Sequence, residues 1–175
     1  MIVQPADFIG EVRIANTSQE DVAADLNHFI QKYEPIFLTE LLGETLYADL
    51  SAGLGEVPIP EKWTGLKNKI KLSIVNYIYW YYITDQHIQT VGVGQAVSKA
   101  GNATIVSPVT KLVRAWNEMQ QNNIAAIKFI NANTEDYGDY YKPYWLTYCE
   151  HGYFWGNVYN CILPDILCTQ NQFGL

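Results

Sequence analysis

The residues of this chain that could do chemistry are few and scattered. Asp25-x-x-His28 has the i, i+3 spacing used in carboxylate-bridged metal bundles, and Glu40 and Glu44 follow on one face of the next helix. Such a centre needs a second carboxylate–histidine pair. His87 has only Asp85, at i−2, which points elsewhere on a helix, so Asp25, His28, Glu40 and Glu44 read more simply as a solvated polar face. Cys149-x-His151, Cys161 and Cys168 are soft ligands without the tight two-residue spacing of structural zinc sites, and they read as buried or idle thiols. Glu135, Asp136 and Asp139 at a helix end could hold a cation, and a solvated turn explains them equally well. Gly92-x-Gly94 supplies two glycines of a dinucleotide fingerprint, but the third is missing and a helix, not a strand, precedes them.

Enzymes need convergent titratable groups in a pocket, and three histidines scattered along the chain orient no Ser-His-Asp or Cys-His arrangement. The expectation is no catalysis, no cofactor and no metal, with a structural or interaction role ahead of an enzymatic one.

Composition narrows the partners. A formal net charge of −7 opposes general nucleic-acid binding, which needs cations facing phosphate. Tyr (13) and Trp (5) are numerous, and both recur at protein–protein interfaces, although a Tyr-rich core is the plainer reading. Three cysteines are too few and too odd a number for a disulfide framework. MIVQPADFIGEV has no basic region followed by an apolar run, so no signal peptide is expected and the chain should stay reduced in the cytoplasm. At 175 residues one domain is expected over 1–175, with an N-terminal arm at 1–16, a helical core at 17–135 and an aromatic-rich extension at 136–175.

The core is organised around 61–90. Leu66, Ile70, Ile74, Tyr77, Ile78 and Tyr81 form one face of a helix, and Leu72, Val75, Tyr79 and Tyr82 a second. An apolar surface almost all round predicts a central helix with neighbours on several sides. Lys67, Lys69 and Lys71 make its first half too polar for a clean membrane span.

The arm contains FIGEVRIAN, a brief strand or an extended segment lying on the body. Thr17 and Glu20 predict a capping box at the start of a first helix that carries Val22, Leu26, Phe29 and Ile30 and ends near Tyr33. Pro35 starts a second helix, striped by Phe37, Leu38, Leu41, Leu42, Leu46, Tyr47 and Leu50, with Gly43 marking close packing or a bend. Ser51 to Pro60 is a loop, and 91–107 is a glycine-containing loop with a possible hairpin at 100–103. Ser107 and Pro108 start a fourth helix through Leu112, Trp116, Met119, Ile127 and Ile130 to about Asn133. Residues 137–159 hold ten of the 24 aromatics together with Gly138, Pro143, Gly152 and Gly156, which oppose one long helix there. The fold class is all-α, a bundle of four main helices with a long central one and an irregular aromatic-rich C-terminal extension.

The sequence also carries a family likeness. FIGEVRI at 8–14, FIQKYEP at 29–35, Leu41-Leu42-Gly43, Leu46-Tyr47, Trp63-x-x-Leu66, the aromatic run 77–82, Ala115-Trp116-Asn117-x-Met119 and the terminal Phe173-Gly174-Leu175 follow one another in a familiar order. In this the chain resembles small helical proteins of phages and prophages of Bacteroides-type bacteria, similar in organisation to head–tail connector (adaptor) proteins. The resemblance implies a non-catalytic virion protein, cytoplasmic in the host and then in the neck of the particle. Its partners would be the portal protein, neighbouring copies in a ring and tail-side connector proteins, with DNA passing but not specifically bound and no membrane. It places contacts on the arms at 1–16 and 160–175, the 91–107 loop and the aromatic extension, and so on Phe8, Ile9, Val93, Val97, Tyr140, Tyr144, Trp145, Trp155 and Phe173. Two other classes stand beside it: a helical metal- or ligand-binding protein built on Asp25, His28, Glu40 and Glu44, and a peptide- or carbohydrate-binding module built on the aromatics of 137–159.

Overall fold

The computed structural model describes residues 1–91, 94–97 and 108–138. The fold is all-α, with three long helices, α1 (Glu20–Gly53), α2 (Glu61–His87) and α3 (Val109–Ala132), and a final helical turn, α4 (Thr134–Tyr137). A small antiparallel hairpin, β1 (Ile88–Val91) and β2 (Gly94–Val97), joins the end of α2, with Ile88 opposite Val97 and Val91 opposite Gly94. The chain divides into two compact units, Met1–Ala126 and Ile127–Leu175, with the boundary inside α3.

α1 differs from the expected pair of helices. It runs through Pro35 without a break and turns at Gly43, where φ is +77°. Pro35 removes one N–H, but it and Gln31, whose carbonyl would have accepted that bond, are both exposed. Water can therefore take up the freed carbonyl. The turn falls at Gly43 because only glycine adopts that backbone at little cost. A side chain at Gly43 would meet no neighbour within 4 Å, so the glycine serves the bend and not close packing. Leu26, Ile30, Phe37, Leu38, Leu41, Leu42, Leu46 and Leu50 form the buried stripe, as their spacing predicts.

α1 continues to Gly53, inside the stretch expected to be loop. A Cβ at Gly53 would collide with the Trp63 indole, so the glycine admits the first buried side chain of α2. α2 is central as expected, with every residue from 73 to 79 buried. Leu72 departs from the expected second face and is 59% exposed. The helix ends at His87, before the expected 90, because Ile88–Val91 pair with Gly94–Val97. Ile88, Thr90, Val91 and Val97 are β-branched, which suits a ladder better than a helix end. The hairpin thus takes up the first part of the expected 91–107 loop; the possible hairpin at 100–103 lies outside the described residues.

In the first unit, α3 buries Leu112, Ala115, Met119, Asn123 and Ala126 at steps of three and four. The backbone N–H of Leu112 donates to the Pro108 carbonyl at 3.0 Å, which fixes the first turn; Ser107, the expected cap, lies outside the described residues. In the second unit, the Asn133 amide donates to the Phe129 carbonyl at 2.7 Å, and the Phe129 and Tyr137 rings lie 5.9 Å apart.

The arm lies on the body of the first unit as two 3-10 turns, Pro5–Asp7 against α1 and Gly10–Val12 against α2, and not as a strand. Ile2, Val3, Phe8, Val12 and Ile14 are all buried. Helix α1 begins two residues later than the expected capping box would start it: its N-cap is Gln19, not Thr17, and has no side-chain cap, after a turn in which Asn16 has φ +60°. Among the described residues no helix is long and apolar enough to cross a membrane.

Candidate functional site

The low-lying chemistry of the sequence does not converge. Asp25 accepts a hydrogen bond from the Gln86 side-chain amide at 2.9 Å and so ties α1 to α2. His28 is exposed and meets Phe29 edge-on at 6.2 Å. Glu40 is half-buried beside Tyr77, whereas Glu44 lies beyond the turn at Gly43, which breaks the i, i+4 relation a straight helix would give them. Among the described residues no three His, Cys, Asp or Glu side chains could hold one metal ion. Gly94 opens a strand, so the element after Gly92-x-Gly94 is not the helix a phosphate cradle requires. Cys149, His151, Cys161, Cys168 and Asp139 lie outside the described residues.

An aromatic ladder fills the seam between α1 and α2. Tyr33 stacks on Tyr81 at 4.2 Å, Tyr77 meets Tyr81 at 5.0 Å and Phe37 at 4.9 Å, and Phe29 meets Tyr82 edge-on at 5.3 Å. Trp80 extends the ladder to Trp116 of α3 at 5.5 Å. Burial pushes the Tyr77 phenol well above its ordinary value, and its hydrogen bond with Tyr81 and the nearby Glu40 act in the same direction. Burial likewise raises Tyr79, and burial with Asp25 raises Tyr82. These phenols remain neutral at working pH. In this seam they contribute buried aromatic packing, and Tyr77 and Tyr81 share a hydrogen bond.

The most specific polar arrangement is at the arm. Glu34 is 5% exposed in the middle of the α1 stripe. The Ile2 N–H donates to both of its oxygens, at 2.8 and 3.0 Å, and the Val3 N–H donates to Oε2 at 2.9 Å. A carboxylate in an apolar surface is costly unless donors surround it, and here two main-chain amides do so. The contact reads backbone and not side chains. Asp7 Oδ1 pairs with Lys71 Nζ at 2.8 Å, and Glu11 Oε2 with Arg114 Nη1 at 3.1 Å. Beside Glu34 opens a cleft of about 280 Å³ whose walls include Leu38, Tyr47, Leu50, Ile59 and Lys67.

The expected contact residues separate sharply. Phe8 is 1% exposed and belongs to the core, while its neighbour Ile9 is 69% exposed. Val97 is in β2; Val93, Tyr140, Tyr144, Trp145, Trp155 and Phe173 lie outside the described residues. Sequence reasoning placed Leu72 on an apolar face and did not single out the exposed aliphatic residues Ile36, Val57 (97% exposed) and Ile59. Nor did it single out Glu34 as an anchor. The signal was present, because Glu34 stands four residues after Ile30 and four before Leu38, an acid on a buried stripe.

No family model, no curated protein and no solved structure matches the chain.

Proposed function

We propose that this chain is a structural assembly subunit of the phage head–tail connector type. Copies pack side by side in a ring, dock on a portal protein and hand on to tail-side connector proteins, around a channel through which DNA passes. The observation that carries the reading is the pair of exposed aliphatic residues beside the arm, Ile9 and Leu72. Asp7, two residues before Ile9, is ion-paired to Lys71, the residue before Leu72 on α2. Exposed aliphatic side chains on the anchored arm and on the helix it is paired to offer apolar surface to a neighbouring subunit. The acidic balance suits a channel wall, since like charge keeps passing DNA from sticking. The subunit would be cytoplasmic in the host and then part of the virion neck.

The reading is tested by negative-stain microscopy of portal particles mixed with the purified chain. An additional ring of density on the portal is the expected image. Unchanged portal particles at saturating chain would count against it.

A further inference from the structure

We infer that the arm, residues 1–14, is an exchangeable clasp that can occupy the Glu34 socket of a second copy of this chain. The inference rests on the self-assembly part of the proposed function and adds which segment crosses between copies.

Among the described residues, the side-chain polar contacts that tie the arm to the helices are all to residues distant in sequence. Ile2 and Val3 bind Glu34, Asp7 binds Lys71 and Glu11 binds Arg114. Ile2, Val3, Phe8, Val12 and Ile14 are buried. Every one of these contacts can be made by the same arm of a neighbour, with nothing changed but the connection to α1. This is the condition under which exchange of an element between identical chains costs little.

The connection is where sequence and structure disagree. Thr17-Ser18-Gln19-Glu20 encodes a capping box, in which Thr17 would cap the helix and Glu20 would reach back to it. With the arm folded back, α1 instead starts at Glu20 behind Gln19, which provides no side-chain cap. Asn16 is held at φ +60°, and it is the one non-glycine residue with positive φ among the described residues. Asparagine tolerates this conformation better than most residues, but not freely. The turn borders an open groove of about 460 Å³ lined in part by Gly10, Arg13, Asn16, Thr17 and Ser18, so it has room to rearrange. A hinge that straightened would relieve Asn16, extend α1 by two residues to Ser18 and form the Thr17–Glu20 box. It would also carry the arm away from its own Glu34. Short hinge turns under local strain favour such exchange. The folded-back arm satisfies its own socket; the open arm satisfies a neighbour's and gains the cap.

The Asp7–Lys71 contact at 2.8 Å provides the readout, because a carbodiimide joins a carboxylate and an amine in direct contact. Full-length chains of normal and heavy nitrogen isotope are mixed one to one, dissociated, reassembled at high concentration and coupled, and the Asp7–Lys71 peptide is read by mass spectrometry. Exchange predicts mixed-isotope peptides at about half of the total in the assembled fraction. Assembly with only same-isotope peptides overturns the exchange and leaves the assembly reading standing. A chain that stays monomeric, with only same-isotope peptides, overturns both. Thr17→Ala should lower the mixed fraction without changing thermal unfolding of the monomer, since no capping bond is lost from the closed form. Asn16→Gly should lower it by about three- to fivefold, because glycine relieves the closed turn. Mixed fractions unaffected by both substitutions would also overturn the hinge argument.

Discussion

The Val3 backbone N–H donates to Glu34 Oε2 at 2.9 Å, from a residue with no exposed surface to one that is 5% exposed. This bond fixes the arm on α1. It explains how an acidic side chain can stand on an otherwise apolar stripe. Replacing Glu34 by alanine leaves the amides of Ile2 and Val3 buried without an acceptor, at a cost of about 2–4 kcal/mol. Glu34→Gln keeps one oxygen acceptor and should lose less. Urea unfolding checks this: the midpoint should fall in the order wild type, glutamine, alanine, and limited proteolysis should cut the alanine variant first within 1–19.

Gly43 and Gly53 should both resist substitution, for different reasons. Gly43→Ala places a Cβ at φ +77° and ψ 164° in open space, so the loss is backbone strain alone, about 1–3 kcal/mol. Gly53→Ala drives a methyl group into the Trp63 indole and displaces a packed ring, at about 1–3 kcal/mol. Tryptophan fluorescence separates the two: Gly53→Ala should shift the emission of the folded protein and Gly43→Ala should not.

The buried tyrosines predict an alkaline limit. Their pKa values are raised in the fold, so the unfolded chain loses phenol protons that the folded chain keeps once pH exceeds about 10. The unfolded state then binds fewer protons, and stability falls as pH rises. It is fully present below the ordinary phenol pKa. The slope is about 1.4 kcal/mol per pH unit for each tyrosine that stays protonated only in the fold. Tyr77→Phe should remove one such increment above pH 10 and leave the acid side unchanged, as measured by urea midpoints across the range.

Much of this fold was legible in the sequence because helices announce themselves by spacing. The stripes on α1, α2 and α3 follow from residues three and four apart. The exceptions have local physical causes. Pro35 suggested a helix start, yet an exposed proline beside an exposed Gln31 is tolerated, and the break went to the residue with φ +77°, Gly43. The Thr17–Glu20 box was legible as a motif, but arm docking overrode it. Ile88 to Val97 read as helix and loop because the strands are four residues each, too short for alternation to show. The candidate site was less legible. Phe8 and Ile9 look alike in sequence, and only the 3-10 turns decide that one is core and the other surface.

The measurement that tests the central claim most directly is co-sedimentation of this chain with the portal protein encoded nearest to it, run beside an Ile9→Asp, Leu72→Asp variant. Both residues are exposed, so the variant should keep its helical circular dichroism and its unfolding midpoint within about 0.5 kcal/mol. The account predicts that the wild-type chain sediments with the portal at fixed stoichiometry through moderate salt and that the variant stays in the supernatant. A wild-type chain that stays in the supernatant, or a variant that sediments as well as wild type, would contradict it.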